Sequence, residues 1–205
     1  MTRFKAKIVA ALVMTVGWSV SATAAEENVV VRDLDVYFIQ EGLDLSVYDS
    51  VLLDSLGIMD ARVIPPPWAD EANPKPWKLT DSDANWLRKS YRNSMTEAIS
   101  GDDGFPVVDE PGEGVLIVDI EIVTLMPYAR RDESVTTRGF GEIRVQAALR
   151  DGQTSQLLAI FEGPQDVGSE YQQNTRMNNE QSLQELFAYW GGRVRGVLDN
   201  AHGAD

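Results

Sequence analysis

The chain has 205 residues and a net charge of −14, with 32 acidic residues against 18 basic ones. This negative charge opposes binding to nucleic-acid phosphates and to anionic membrane surfaces. Cysteine is absent and the only histidine is His202 near the C-terminus, so disulfides and Cys–His zinc sites are excluded, and a Ser-His-Asp site requires that the tail fold back.

The first 25 residues have the features of a secretory signal peptide. Arg3, Lys5 and Lys7 form a basic start, Ile8–Val20 is apolar, and Ala22-Thr23-Ala24 offers small residues to a signal peptidase. The apolar segment is shorter than the ~20 residues of a membrane span. We therefore expect export with cleavage rather than an N-terminal anchor, and a periplasmic or secreted protein.

Cleavage would remove three basic residues and no acidic one, which takes the net charge from −14 to −17. Residues 26–205 are enough for one domain with a proper core, and we expect a single α/β domain there. They contain no second apolar segment of membrane-spanning length and no cysteine that a lipid could modify. We therefore expect neither a transmembrane segment nor a lipid anchor in the mature chain.

The first half of this domain mixes strand-like and proline-rich segments. Val29–Gln40 predicts an edge strand or an extended arm, and Tyr48–Asp54 predicts a buried strand. Pro65–Trp68 and Pro74–Trp77 then exclude regular pairing and favour polyproline II. Their two tryptophans either form a contact surface or fold back over the sheet edge.

Two helices are predicted. The first runs from Thr80 to Ser100, because Thr80 can cap it, Asp81 and Asp83 suit its positive end, and apolar residues recur at helical spacing. The second runs from Glu180 to Asn200 with a broad apolar stripe. In its middle, Gly191-Gly192 indicates close packing on the sheet.

The most regular pattern lies between the helices, where three strands are predicted: Gly114–Thr124, Gly139–Arg150 and Gln156–Glu162. Apolar and polar residues alternate along them, which is typical of a sheet with one buried face. A turn around Gly152 joins the last two strands as a hairpin, and Gly163-Pro164 should end the third. Val107-Val108 is a further short strand or a lead-in.

These elements follow the order β-α-β-β-β-α. We predict an α+β fold, a two-layer sandwich in which a mainly antiparallel sheet of about four to five strands carries two helices on one face.

Four segments resemble those of an uncharacterised bacterial envelope family, domain-of-unknown-function 3313. They are the opening strand Tyr48–Asp54, the central segment Val107–Gly112 with Val115-Leu116, the hairpin Ala148–Ala159 and the closing helix segment Phe187–Gly191. The resemblance spans Phe38–Asp199. It implies an envelope location, but no activity, cofactor or site residue. Many members of that family are predicted lipoproteins, and this chain differs from them because it has no cysteine that could be acylated.

Catalytic motifs are scarce. Phosphate-loop and GxSxG patterns are absent, and we expect no catalytic residue, metal or cofactor. Asp119 and Glu121 project from one side of a predicted strand, roughly 7 Å apart. Such a pair could serve glycoside hydrolysis or bind a hard cation, or it could mark the solvated face of a half-buried strand.

The loops offer the best candidates for binding. Aromatic and guanidinium side chains anchor many interfaces, and they suit ligands with anionic or sugar-like groups. The candidate residues are Trp68, Trp77, Tyr128, Arg130, Arg131, Tyr171 and Arg176. Ordinary loop packing would also explain them.

Two functions remain open from the sequence. The first is a non-catalytic periplasmic module that binds or assembles with another envelope protein or a small ligand. The second is a carboxylate-dependent hydrolase that acts on envelope glycans. The lining of the largest pocket distinguishes them: carboxylates there would favour the hydrolase, and aromatic and arginine side chains would favour the binding module.

Overall fold

A computed structural model of the chain describes residues 33–65, 79–130 and 133–203. The described elements are β1 (Asp35–Ile39), β2 (Ser50–Leu53), β3 (Arg62–Val63), α1 (Asp81–Ser100), β4 (Val107–Val108), β5 (Val115–Pro127), β6 (Thr136–Arg138), β7 (Gly141–Asp151), β8 (Leu157–Val167), β9 (Tyr171–Gln173) and α2 (Arg176–His202).

Seven of the described strands form one mixed sheet. Its order is β1-β8-β7-β5-β2-β4, and β3 pairs with the far end of β5. The pairs β1–β8, β8–β7 and β7–β5 are antiparallel, whereas β2–β4, β2–β5 and β3–β5 are parallel. Helix α1 connects β2 to β4 in the manner of a crossover, which returns the chain in the same direction. The strands β6 and β9 form a separate antiparallel pair.

The α+β class and both helices agree with the prediction, and β1 is an edge strand. The sheet is larger than the predicted four to five strands, and the order β-α-β-β-β-α does not match the observed order exactly. The long strand pairs are antiparallel as predicted, but the short parallel pairs of β2 and β3 make the sheet mixed. The strands that the sequence did not reveal, β3, β6 and β9, have only two or three residues, which is too short to show a period.

Strand β8 continues through Gly163-Pro164, where we expected it to end, and reaches Val167. Strand β1 pairs only with residues Ala159–Glu162 of β8. At Pro164, β8 is therefore itself an edge of the sheet on that side. A proline is tolerated there because its missing N–H removes no ladder bond.

One face of the sheet and both helices bury a common core. Leu116, Val118, Ile120 and Ile122 of β5 point into it, and Tyr91, Met95, Leu186 and Phe187 meet them from the helices. The intervening β5 residues face away from the helices. The alternation of apolar and polar residues along β5 therefore matches a two-layer fold in which the helices cover one face of the sheet. Among the described residues, no helix is long and apolar enough to cross a membrane.

Both helices have a threonine cap. The Thr80 hydroxyl accepts a hydrogen bond from the Asp83 N–H (3.2 Å), and the Thr80 N–H donates to the Asp83 carboxylate (2.9 Å), which completes a capping box. Helix α2 begins at Arg176, four residues before the predicted start, because Thr175 accepts from the Asn178 N–H (3.3 Å).

The two helices run parallel and make close contact. A ring contact joins Tyr91 to Phe187 at 5.7 Å, and roughly two to three turns further along both helices Arg195 donates to the carbonyls of Gly101 and Asp102. A Cβ at Gly191 would lie 2.7 Å from the Ala98 Cβ and 3.0 Å from the Met95 carbonyl oxygen. Gly191 thus packs on α1, and the predicted packing on the sheet is wrong.

Substitution of the two adjacent glycines should have opposite effects. Gly191→Ala should lower the free energy of unfolding by about 1–3 kcal/mol, because its methyl group forces the helices apart. Gly192→Ala should raise it by about 0.4–1 kcal/mol, because Gly192 is exposed with no atom within 4 Å of an added Cβ. Urea denaturation measures both. A similar effect of the two substitutions would show that α1 and α2 do not meet at Gly191.

Candidate functional site

A cavity of about 260 Å³ lies between the N-terminal ends of α1 and α2 and the adjoining part of the sheet. This volume is near the lower limit for ligand pockets, about 300 Å³. Its wall is mainly apolar. The aliphatic residues are Ile58, Leu87, Ile122, Leu125, Ile143 and Leu183, and Trp86 and Phe140 add two aromatic rings.

The parallel helix pair explains why the cavity has this position. Leu87 and Leu183 enter the wall from the N-terminal halves of α1 and α2, and Ile122 and Ile143 enter from β5 and β7. All four side chains are also part of the hydrophobic core. The cavity is therefore an extension of the core toward the surface, rather than a groove between loops.

Polar residues at the start of α2 line part of the cavity and bond to neighbouring segments. The Asn174 amide donates to the carbonyls of Arg130 (2.7 Å) and Glu133 (2.8 Å), and its side-chain oxygen accepts from the Asn179 amide (2.9 Å). These bonds fix the segment after β5 against the start of α2. The polar part of the wall is consequently preorganised.

The strand pair β6–β9 is held against the same helix. The Gln172 amide donates to the Ser182 hydroxyl at 3.2 Å. Gly168, with φ +82°, lies so close that a Cβ there would be 2.8 Å from the Ser182 oxygen. The turn between β8 and β9 therefore requires glycine, and it places Asn174, just beyond β9, at the cavity.

Among the described residues that line the cavity, three are charged: Asp83, Arg176 and Glu180. Arg176 Nε donates to Glu180 Oε1 at 2.5 Å, and the Glu180 carboxylate raises the pKa of the guanidinium. Each helix N-terminus contributes roughly +0.5 charge, so two N-termini and one arginine nearly balance the two carboxylates. The site is close to electrically neutral, which favours an uncharged ligand over an anion.

The structure separates most of the predicted binding residues from one another. Trp68, Trp77 and Arg131 lie outside the described residues. Of the other four, only Arg176 lines the cavity. Arg130 contributes its backbone carbonyl to Asn174 and has an exposed side chain, Tyr128 is partly buried, and Tyr171 on β9 is 78% exposed.

Sequence reasoning did not select the residues that form most of the site. Trp86 precedes Leu87 of the predicted helical stripe and was not singled out. Phe140 lies between two glycines just before β7, inside the predicted strand Gly139–Arg150, and its place in that alternation did not mark it as a site residue. The run of asparagines around Thr175 was a usable signal, because such residues cap helices and form side-chain networks.

Asp119 and Glu121, the candidate acid–base pair, point away from the helices and do not line this cavity. Burial raises the pKa of Asp119, and the neighbouring Asp54 raises it further, while Arg150 lowers it. Glu121 is exposed, and its side-chain stem covers Gly57. The two carboxylates thus lie on the open sheet face, as expected for the polar side of a half-buried strand.

The raised pKa of Asp119 makes a prediction about pH. The folded chain holds this proton more tightly than the unfolded chain does, so the contribution of Asp119 to stability falls as the pH rises above 3.8. Asp119→Asn cannot titrate, so its stability relative to the wild type should increase between about pH 3 and pH 7. Denaturation across this pH range, with Asp60→Asn on an exposed turn as control, measures the effect. A relative stability that is flat or falls with pH would contradict it.

Several solved structures share distant similarity with the chain. A DUF330-family protein from Xanthomonas campestris has 12% identity and a TM-score of 0.44, with 82% of this chain and 96% of that chain covered. A PelC dodecamer from Paraburkholderia phytofirmans has 9% identity and a TM-score of 0.40, with 79% and 96% covered. A putative neuraminyllactose-binding hemagglutinin homolog from Helicobacter pylori has 9% identity and a TM-score of 0.36, with 84% and 95% covered. At these values, no role or assembly state transfers to this chain.

No curated protein matches the sequence significantly. A family model does match, over residues 26–194, and its description is "Protein of unknown function (DUF3313)". This span contains all the described strands, α1 and most of α2, and it includes the four segments that carry the resemblance. The chain therefore belongs to the DUF3313 family.

Proposed function

We propose that this protein is an exported, non-catalytic binding module of the cell envelope, and that its cavity binds a small, uncharged, mostly apolar ligand or the apolar part of a larger one. The observation that carries the proposal is the apolar cavity between the helix N-termini, lined by core side chains and a preorganised polar segment.

The energetics favour a ligand in this space. An apolar ligand that displaces water from the apolar wall gains roughly 25 cal/mol for each Å² of apolar surface that its binding removes from water. Trp86 and Phe140 provide flat aromatic surface of the kind common in ligand pockets.

Entry does not require the core to open. The Arg176 side chain is 84% exposed and is held at the cavity by its ion pair with Glu180. Exposed pairs of this kind contribute little free energy, about 0–1 kcal/mol. Arg176 can therefore move aside for a ligand, whereas Asn174, which makes three hydrogen bonds, stays in place.

The cavity offers little for catalysis. Among the described lining residues, the carboxylates are Asp83 and Glu180. Asp83 completes the capping box of α1, and Glu180 pairs with Arg176. A catalytic carboxylate needs a free path to substrate. Both carboxylates instead have structural partners, which supports binding rather than hydrolysis.

Filling the cavity should abolish ligand binding without unfolding the chain. Ala129 lines the cavity, so Ala129→Phe places a ring in it. We expect the uncharged probe Nile red to bind the wild type and to bind Ala129→Phe at least about tenfold more weakly, because the apolar volume is occupied. Fluorescence titration measures both.

Ala188→Phe, at an exposed position of α2, adds the same ring outside the cavity and should bind the probe as the wild type does. Circular dichroism confirms that each variant is folded. Wild-type binding by Ala129→Phe, or no binding by the wild type, would overturn the proposed site.

Export can be tested separately. We propose that cleavage close to Ala25 releases residues 26–205 as a single domain into the periplasm, without a lipid anchor. Fractionation of cells that express the full chain should recover it in the periplasmic fraction, with a mass that lacks the first 25 residues or so. Recovery of the uncleaved chain in membranes or cytoplasm would contradict this, and it would leave the cavity test unaffected.

A further inference from the structure

The edge strand β1 exposes a continuous apolar surface. Its residues Val36, Tyr37, Phe38 and Ile39 are 59, 77, 40 and 51% exposed. It is the last strand on its side of the large sheet, with β8 as its neighbour. Within the described part of the chain, the outer edge of β1 therefore has no strand partner. Unpaired backbone beside apolar side chains is a template for strand addition.

An added strand would find apolar contacts on both faces of the sheet. Val36 lies opposite Phe161 and Ile39 opposite Ala159, on the face that carries the helices, whereas Phe38 lies opposite Ile160 on the open face. Tyr37 falls at a shift in the pairing register. Such bulges redirect a side chain, and Tyr37 is the most exposed of the four apolar residues of the strand.

Acidic residues lie at both ends of this edge. Asp35 begins β1, and Glu41 follows its last residue by two positions; both are exposed. Asp44, slightly further along, is also exposed. Asp33 is paired with Arg193 at 3.2 Å. The apolar centre of the edge is therefore bracketed by negative charge.

This charge pattern selects the partner. In an antiparallel pair of two copies, the Asp35 end of one β1 would face the Glu41 end of the other, and like charges across strands are destabilising. From these observations, we infer that β1 binds an extended segment of another protein that is apolar in its centre and carries lysine or arginine at both ends. The inference does not depend on a ligand in the cavity.

A designed peptide tests this directly. The probe alternates valine and threonine between two lysines at each end, has blocked termini and carries a fluorescent label. Its control replaces every lysine with glutamate. Titrated with the exported chain, the lysine peptide should bind at least about tenfold more tightly than the control, and added salt should weaken it. Amide hydrogen exchange should slow in β1 on binding.

Charge reversal at the edge provides the matched variant. Asp35→Lys combined with Glu41→Lys should reverse the preference toward the glutamate peptide. Asp60→Lys combined with Glu97→Lys makes the same change in net charge at exposed positions away from β1, and it should keep the wild-type preference.

Several outcomes would overturn the inference. They are no binding of the lysine peptide, equal binding of both peptides, an unchanged preference in the Asp35→Lys/Glu41→Lys variant, and binding only after residues 26–32 are deleted, which would assign the edge to the chain itself. Dimerisation of the wild-type chain that slows exchange in β1 would likewise assign the edge to a second copy.

Discussion

The parallel contact between α1 and α2 is the constraint on which the rest of the structure depends. Parallel helices place like dipole ends together, which is unfavourable, so other groups must compensate. At the N-terminal end, Asp81 and Asp83 supply negative charge. At the opposite end, α1 has no basic residue in its last turn, and Arg195 of α2 donates to the carbonyls of Gly101 and Asp102 instead. Gly191 brings the two helices close enough for this arrangement to form.

The same contact determines where a ligand can bind. Because both helices begin at one end of the sheet, their first turns, β5 and β7 together enclose the cavity there. The two positive helix ends would attract an anion if they acted alone. Asp83 instead offsets them, and Glu180 neutralises Arg176. The electrostatic character of the site thus follows from how the helix pair is stabilised, and it favours an apolar, uncharged ligand.

The sequence predicted the elements in which a regular pattern of apolar residues runs over many positions. It did not predict features that depend on which elements are neighbours in space. Alternation predicted β5, β7 and the start of β8, and Thr80 with its apolar stripe predicted α1. Strand direction depends on crossovers, so the parallel pairs of β2 could not be read from its four residues. Gly191 was predicted to pack on the sheet. A glycine in a helix indicates that another element comes close to the backbone, but the sequence does not show which element this is. Of the predicted binding residues that are described, Arg176 alone lines the cavity, since loop positions depend on bonds such as those of Asn174.

The acidity of the chain links its charge to its exposed apolar edge. A long unpaired apolar edge normally invites self-association. Here the net charge of −14 repels a second copy, and Asp35 and Glu41 repeat that repulsion locally at the two ends of β1. Edge strands are often protected by lysine or by the absence of apolar residues, but β1 keeps four consecutive apolar residues. Negative charge at the ends of the strand opposes pairing with a second copy of β1 and favours pairing with a segment that carries basic residues. Asp35 and Glu41 would thus both limit self-association and select the partner.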